Sequence, residues 1–301
     1  MKTVLIVNGL ADASRRAALL AQVEQWRIGR DVKVEWTRYP EHATHIARHY
    51  ALQKEPVHLF SCGGDGLLHE IVNGIVHAGH VLLSICPIGT GNDFVKSFPE
   101  YELADFLDLT RYERPRHMAC DVLCMHGEYA INTISFGFDV HVAKAVNECR
   151  KKFPGTGIVP YTFGMAKSLL KPLNVSLSLA IDGVDSPKTD YAFVVLGNGR
   201  FYGGGYQPCP DGQVDDGKMD VCLIHDIQKY QIVRFSKAYA RGEHVAFEKI
   251  VTMKTASLVH VDTNGRVVYA NMDGEVRKCR DPWIEIVPGA VRLALPARTK
   301  E

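Results

Sequence analysis

Between Val57 and Phe98 two apolar strands each run into a glycine turn that carries an aspartate. The first is Val57–Cys62, followed by Gly63-Gly64-Asp65-Gly66 and a helical pattern from Leu67. The second is Val81–Cys86, followed by Pro87-Ile88-Gly89-Thr90-Gly91-Asn92-Asp93-Phe94. Glycine has no Cβ, so such turns let backbone N–H groups and a helix N-terminus close on an anion, and phosphate is the expected guest. Phosphate would repel Asp65 unless the carboxylate binds a cation or a sugar hydroxyl. That points to magnesium or a ribose contact, the alternative being a capping aspartate in a tight turn. Neither a G-x-x-x-x-G-K-[ST] loop nor a complete G-x-G-x-x-G occurs.

Two later clusters could also do chemistry. Gly203-Gly204-Gly205 precedes a loop from Cys209 to Asp220 whose carboxylates crowd together; it suits a hard cation with oxygen ligands or, equally, an acidic surface hairpin. Asn271-Met272-Asp273-Gly274-Glu275 follows a strand and reads as a hairpin turn with two acids. His42, His45 and His49 share one helical face without an acid partner in sequence, and a solvated face explains them. Cys120 and Cys124 fall on one face of a strand, and no G-x-S-x-G nucleophile appears.

The elements that must position these residues change character along the chain. Up to about residue 115 strand and helix alternate: strand 3–8, helix 12–26, strand 32–37, helix 41–53, then the two glycine-ended strands. This predicts a parallel sheet with helices on its faces and ligands beyond the carboxyl ends of the strands. From Met118 the pattern is strand-rich: 118–124, 128–136, 174–183, 190–198, 218–224, 256–262, 266–271 and 282–287, with helices at 138–151, 157–171 and 227–240. A second domain built as a β-sandwich or barrel is expected. The 46% apolar content supports ordinary cores, and the net charge of +1 offers no broad footprint for nucleic acid. No apolar run approaches the ~18 residues of a membrane span and no signal peptide opens the chain, so a soluble cytoplasmic protein with reduced cysteines is expected.

In order and spacing, Gly-Gly-Asp-Gly, Pro-x-Gly-Thr-Gly-Asn-Asp-Phe, the Gly-Gly-Gly…Asp-Asp-Gly segment and Asp-Gly-Glu resemble the soluble bacterial diacylglycerol kinases and the related sphingosine kinases. The likeness covers nearly the whole chain. It implies a Rossmann-like parallel α/β domain over 1–117, completed by a C-terminal strand at 290–297, and a β-sandwich domain over 118–289, with a nucleotide cleft between them. By the same resemblance Asn8, Thr37, Gly63, Gly64, Asp65, Gly66 and Thr90 contact ATP and Asp273 is the general base. Asp216, with the backbone carbonyls of Gln213 and Lys218, binds a structural Mg2+; Asp93 and Asp121 match acids near the catalytic metal and the domain junction. The chain departs from the family at Leu67, where threonine is usual, at His69, where asparagine is common, and at Asn8-Gly9-Leu10-Ala11-Asp12, where Asn-Pro-x-Ser-Gly is usual.

The implied reaction moves the γ-phosphoryl group of ATP to a lipid hydroxyl, with diacylglycerol as the leading acceptor. Asp273 takes the hydroxyl proton, magnesium near Asp65 and Asp93 offsets phosphate charge, and Glu275 is a candidate nucleotide or metal contact. The expected partner is a lipid at a membrane surface, with the protein peripheral at the inner membrane face and a homodimer left open. Lys144, Arg150, Lys151, Lys152, Lys167 and Lys171, with Phe153, Tyr161, Phe163, Leu169 and Leu170 among them, form a candidate docking segment, set against an ordinary packed helix pair. Two rivals remain. A soluble-substrate kinase of the NAD kinase type shares the first turn, but Asn147-Glu148 here falls in an expected helix. A non-catalytic nucleotide- or lipid-binding regulator is motivated by Leu67 and the altered first loop.

Overall fold

The computed structural model describes residues 1–152, 168, 173–225, 227 and 231–298. The chain divides into two compact units, 1–121 with 288–301 and 122–287.

In the first unit, β1 (Lys2–Val7), β2 (Val32–Trp36), β3 (Val57–Gly63) and β4 (Val81–Pro87) alternate with α1 (Ala13–Trp26), α2 (His42–Leu52) and α3 (Asp65–Ile75). The strands pair in parallel in the order β2-β1-β3-β4. All seven positions of β3 and of β4 are buried, as both faces of a sheet covered by helices require. Leu5, Val7, Leu19, Val23, Trp26 and Phe60 form the core on one face. Asp12 caps α1, its carboxylate accepting the Arg15 N–H at 3.0 Å. That local duty accounts for the acid in the altered first loop. α2 has no cap of its own. Glu70 of α3 supplies one, accepting from the Glu41 and Ala43 amides at 2.9 and 3.0 Å. The two helices lie so close that a Cβ on Gly74 would stand 2.8 Å from the Ala47 Cβ.

The second unit is antiparallel. β5 (Arg116–Met125) enters it and hairpins with β6 (Glu128–Ala130); β7 (Thr133–Gly137) leads into α5 (Phe138–Lys152). α4 (Leu103–Leu107) belongs to the first unit. β8 (Val175–Ile181), β9 (Val184–Asp185), β10 (Thr189–Gly197) and β11 (Met219–His225) come before α6 (Ile232–Ala240). β12 (Val251–Ala256), β13 (Leu258–Asp262), β14 (Val268–Met272) and β15 (Glu275–Cys279) follow it. β10 pairs with β7, β8 and β11, and β14 pairs with β7 and β15. Alternate residues on β8, Leu177, Leu179 and Ile181, point into a core shared with Ile134, Phe136 and Val194. β16 (Trp283–Leu295) serves both units: Trp283–Glu285 pair with β13, and Arg292 and Leu293 pair in parallel with β4.

Three expectations need adjustment. The strand expected over 128–136 is two strands, broken at Ile131 and Asn132 because their amides leave the ladder for a side-chain acceptor described below. The strand expected over 282–287 continues to Leu295, turning at Gly289 with φ +59°. Of the helix expected over 227–240, Ile227 is not helical, residues 228–230 lie outside the described residues, and α6 runs from Ile232. The helix expected over 157–171 lies outside the described residues except at Ser168, as does the larger part of the candidate docking segment.

Candidate active site

Because β1, β2, β3 and β4 run in parallel, their carboxyl ends share one edge of the sheet, and the expected donor-side residues Asn8, Thr37, Gly63–Gly66, Thr90 and Asp93 lie there, whereas Glu275 lies in the second unit. Asn8 closes β1, its side chain accepting the Leu10 N–H at 2.9 Å. The Thr37 hydroxyl accepts the Gly9 N–H at 3.3 Å, which ties the end of β2 to the end of β1. The two glycine turns touch: a Cβ on Gly64 would meet Gly89 Cα at 3.2 Å, and one on Gly89 would stand 2.8 Å from Gly64 N. Only bare backbone fits at that crossing. Gly66 faces open space at the start of α3 and Thr90 is exposed.

Asp65 has a duty that its sequence context does not reveal. One carboxylate oxygen accepts the Asp93 and Phe94 amides at 2.7 and 3.1 Å, so the first turn holds the second in place. Asp93 is buried and pairs with Lys96 at 2.6 Å. A Cβ placed on Gly91 would lie 3.0 Å from Asp65 Oδ2 and 3.5 Å from Asp93 Oδ2, so both carboxylates flank this glycine. That donor set fits a hard divalent cation. Leu67 folds back over Gly63, with its Cδ2 2.6 Å from where a Gly63 Cβ would be, and is 7% exposed. The residue in the place of the family's threonine is a packing residue.

Three side chains that were not singled out in the sequence brace these turns. Arg15 donates to the Gly89 carbonyl and Arg16 to the Gly9 carbonyl, the latter at 2.6 Å. Asn92, at φ +50°, donates to the Pro87 and Gly89 carbonyls at 3.1 and 3.0 Å. The two arginines bring positive charge to the sheet edge on which the glycine turns sit.

In the second unit Asp273 and Gly274 form the two-residue turn between β14 and β15, both with positive φ (50° and 99°). The Asp273 carboxylate accepts three amides: Ile131 at 2.8 Å, Asn132 at 3.0 Å and Thr133 at 2.8 Å. This is the acceptor that splits the expected strand. Both carboxylate oxygens are thereby fixed in position, Oδ1 by two amides and Oδ2 by one. Glu275 is exposed at the start of β15 and pairs with Arg277 at 3.6 Å.

The acidic loop of the same unit holds Gln213, Asp216 and Lys218 close in sequence and exposed. Asp216 accepts the Lys218 N–H at 2.9 Å, and the Lys218 ammonium reaches Ser257 at 2.7 Å. Burial and the charges of Asp216 and Asp211 push Asp220 up to about 6, a mutual repulsion that a cation would relieve. Among the described residues no three His, Cys, Asp or Glu side chains cluster as a metal site, so a cation here needs backbone oxygens as well. Asp121 takes the Gly289 amide at 2.7 Å, a structural tie within the first unit.

Two family models divide the chain between them. Residues 2–131 match the diacylglycerol kinase catalytic domain, and residues 132–295 match the YegS C-terminal NAD kinase beta sandwich-like domain. The chain belongs to the YegS and diacylglycerol kinase family of lipid kinases. A protein of Stenotrophomonas maltophilia named "Probable lipid kinase YegS-like" is 29% identical over 79% of this chain and 79% of its own. One of Pseudomonas aeruginosa with the same name is 28% identical over 98% and 95%. Among solved structures, a diacylglycerol kinase of Bacillus anthracis superposes with a TM-score of 0.68 at 19% identity, covering 98% of this chain and 96% of that one, a likeness of fold. The chain is thus a kinase-type phosphotransferase, and membership implies ATP as its donor.

Around the three histidines of α2, His42 stacks on Tyr39 at 4.4 Å, and Glu35 is an acid neighbour that sequence spacing could not show. All eight cysteines are free thiols. No described helix is long and apolar enough to cross a membrane.

Proposed function

We propose that the protein transfers the γ-phosphoryl group of ATP to the hydroxyl of a lipid, with diacylglycerol as acceptor and phosphatidic acid as product. The observation that carries this is the Asp273 carboxylate, fixed by three backbone amides in a two-residue turn at positive φ, in the place of the family's general base. The acceptor hydroxyl loses its proton to Asp273 as its oxygen bonds to the γ-phosphorus, and the bond from phosphorus to the β-bridging oxygen breaks to release ADP. The amides of the glycine turns hold the phosphates, with Thr90 and the Arg15 guanidinium beside them. Mg2+ would be held by Asp65 and Asp93, where it would offset the charge on the phosphate oxygens. A second Mg2+ at Asp216 with the Gln213 and Lys218 carbonyls would set the shape of the acidic loop.

A lipid acceptor is supported by a cavity in the second unit lined by Phe138, Val142, Phe193, Phe235 and Tyr239, with the buried Asp139 in its wall. Its aromatic and aliphatic walls suit an apolar group, and its space of about 30 Å³ is that of a small group rather than of a whole chain. Peripheral binding to anionic bilayers through the basic and aromatic residues between Lys144 and Lys171 belongs to the same proposal. Reversing Arg150, Lys151 and Lys152 to glutamate should weaken vesicle binding, and unchanged binding counts against it.

The deciding experiment offers labelled ATP and magnesium to the purified protein with vesicles carrying diacylglycerol, sphingosine or ceramide, and NAD as a soluble control. Label in lipid that disappears with Asp273→Asn supports the reading. Label only in NAD, or in nothing, sinks it.

A further inference from the structure

The turn that carries Asp273 is held from two sides. The three amides of residues 131–133 grip its carboxylate, and the Asn271 side chain grips its backbone: Asn271 Oδ1 accepts the Gly274 N–H at 3.0 Å. Asn147 adds a third hold, donating to the Gly274 carbonyl at 3.0 Å. Asn271 is itself oriented from behind. Its amide nitrogen donates to Asp139 at 2.8 Å and to the Ser135 hydroxyl at 3.4 Å. Ser135 and Asn271 are direct cross-strand partners on β7 and β14, so register alone brings both to Asp139, the second residue of α5. The Ser135 hydroxyl donates to the same Asp139 oxygen, and Tyr202 bonds to the carboxyl as well.

An amide has one donor end and one acceptor end. With Asp139 and Ser135 demanding the NH2 end, the carbonyl end has to face Gly274. Turned round, the amide would set its NH2 against the Gly274 N–H and its oxygen against a carboxylate. Asp139 is 4% exposed and burial pushes its carboxyl up, the bonds from Ser135, Asn271 and Tyr202 opposing that rise. Keeping a carboxyl in such a place is costly unless it orders something.

We propose that Asp139 is a positioning residue for phosphoryl transfer: through Ser135 and Asn271 it fixes the Gly274 amide and so the turn that presents Asp273, without itself touching the acceptor hydroxyl. The catalytic consequence rests on the kinase reading above; the link from Asp139 to Gly274 does not.

The test uses the full chain labelled with 15N-glycine, in which hydrogen exchange at the Gly274 amide is followed by NMR beside steady-state kinetics. Asp139→Ala removes the shorter of the two bonds from the Asn271 NH2 and leaves only the longer one to Ser135. Gly274 should then exchange on the order of tenfold faster. kcat should fall while KM for ATP stays within about twofold, the split expected when geometry rather than donor binding is lost. Asp139→Asn, whose carbonyl can accept from Ser135 and Asn271, should restore Gly274 protection. The double variant Asp139→Ala with Asn271→Ala should exchange no faster at Gly274 than Asn271→Ala alone, since the first acts through the second. A folded Asp139→Ala protein with unchanged Gly274 exchange, or a double variant whose effects simply add, overturns the proposal. If Asp139→Ala does not fold, Asn271→Ala reads the second link alone, and unchanged Gly274 exchange in it overturns the proposal equally. Exchange needs no turnover, so a wild type that phosphorylates no lipid sinks the kinase reading while Gly274 still decides the link.

Discussion

The glycine turns of the α/β unit and the Asp273 turn of the β unit use the backbone amide in opposite senses. The turns at Gly63–Gly66 and Gly89–Asn92 are proposed to present amides to a phosphate, and the crossing of Gly64 over Gly89 admits nothing larger than hydrogen. At Asp273 three amides turn inward and are consumed in fixing one carboxylate. In the proposed reaction the backbone is the binding group in the first region, and in the second it is the scaffold for the side chain that takes the proton. The first should therefore fail when atoms are added and the second when a charge is changed.

The largest effect is expected at Asp273. Asp273→Asn keeps the shape but turns an NH2 group toward at least one of three N–H donors and removes the proton acceptor. Phosphoryl transfer should fall about 10²–10⁴-fold in kcat, with a loss of about 1–3 kcal/mol in stability measured by denaturant. An active Asp273→Asn enzyme would break the comparison. Next comes Gly89→Ala, whose methyl would fall on Gly64 backbone and on Asn92 Oδ1 at 2.8 Å. It should cost about 1–3 kcal/mol and raise KM for ATP with little change in Gly274 exchange.

A third probe acts from beneath the turns. His58, on β3, bonds to Ser84 at 2.8 Å, and burial, with the nearby His117, holds its imidazole down at about 4. The unfolded chain takes up this proton near 6.5 and the folded chain only near 4, so stability should be full above that window and fall as pH drops through it. The loss at pH 5 is about 2 kcal/mol. His58→Gln, which keeps a neutral donor for Ser84, should narrow the drop in Tm between pH 7.5 and pH 5; an unchanged drop would assign the acid sensitivity elsewhere. The smallest effect separates the two duties of Asp65. Asp65→Asn can still accept the Asp93 and Phe94 amides and should hold stability while weakening the magnesium dependence of the reaction. Asp65→Ala should lose both, with about 1 kcal/mol of stability.

The contrast also shows what was readable in the chain. Unbroken apolar runs at Val57–Cys62 and Val81–Cys86, and alternation at residues such as Leu177, Leu179 and Ile181, state the two fold classes directly, because burial on two faces and on one face leave different periods. The glycine turns were legible for the same local reason. Hidden were the contacts made across distance. Asp65 reads as an odd acid among glycines until its bonds to Asp93 and Phe94 are seen. The run Glu128–Phe136 reads as one strand because nothing nearby announces that an aspartate some 140 residues on takes three of its amides. Arg15 and Arg16 carry no motif, Asn92 stands in a motif without a role of its own being readable, and Asp139 looks like an ordinary first-turn acid of a helix. Its meaning lies in the Ser135 to Asn271 register, which is set by the fold.

β16 carries one more consequence, in the order of synthesis. Arg292 and Leu293 supply the parallel partner of β4, yet they leave the ribosome after the whole of 122–287 has been made. Until then β4 waits with an open edge, while β7, β10, β11, β12, β14 and β15 already have one another as partners. The unit encoded first is the one finished last.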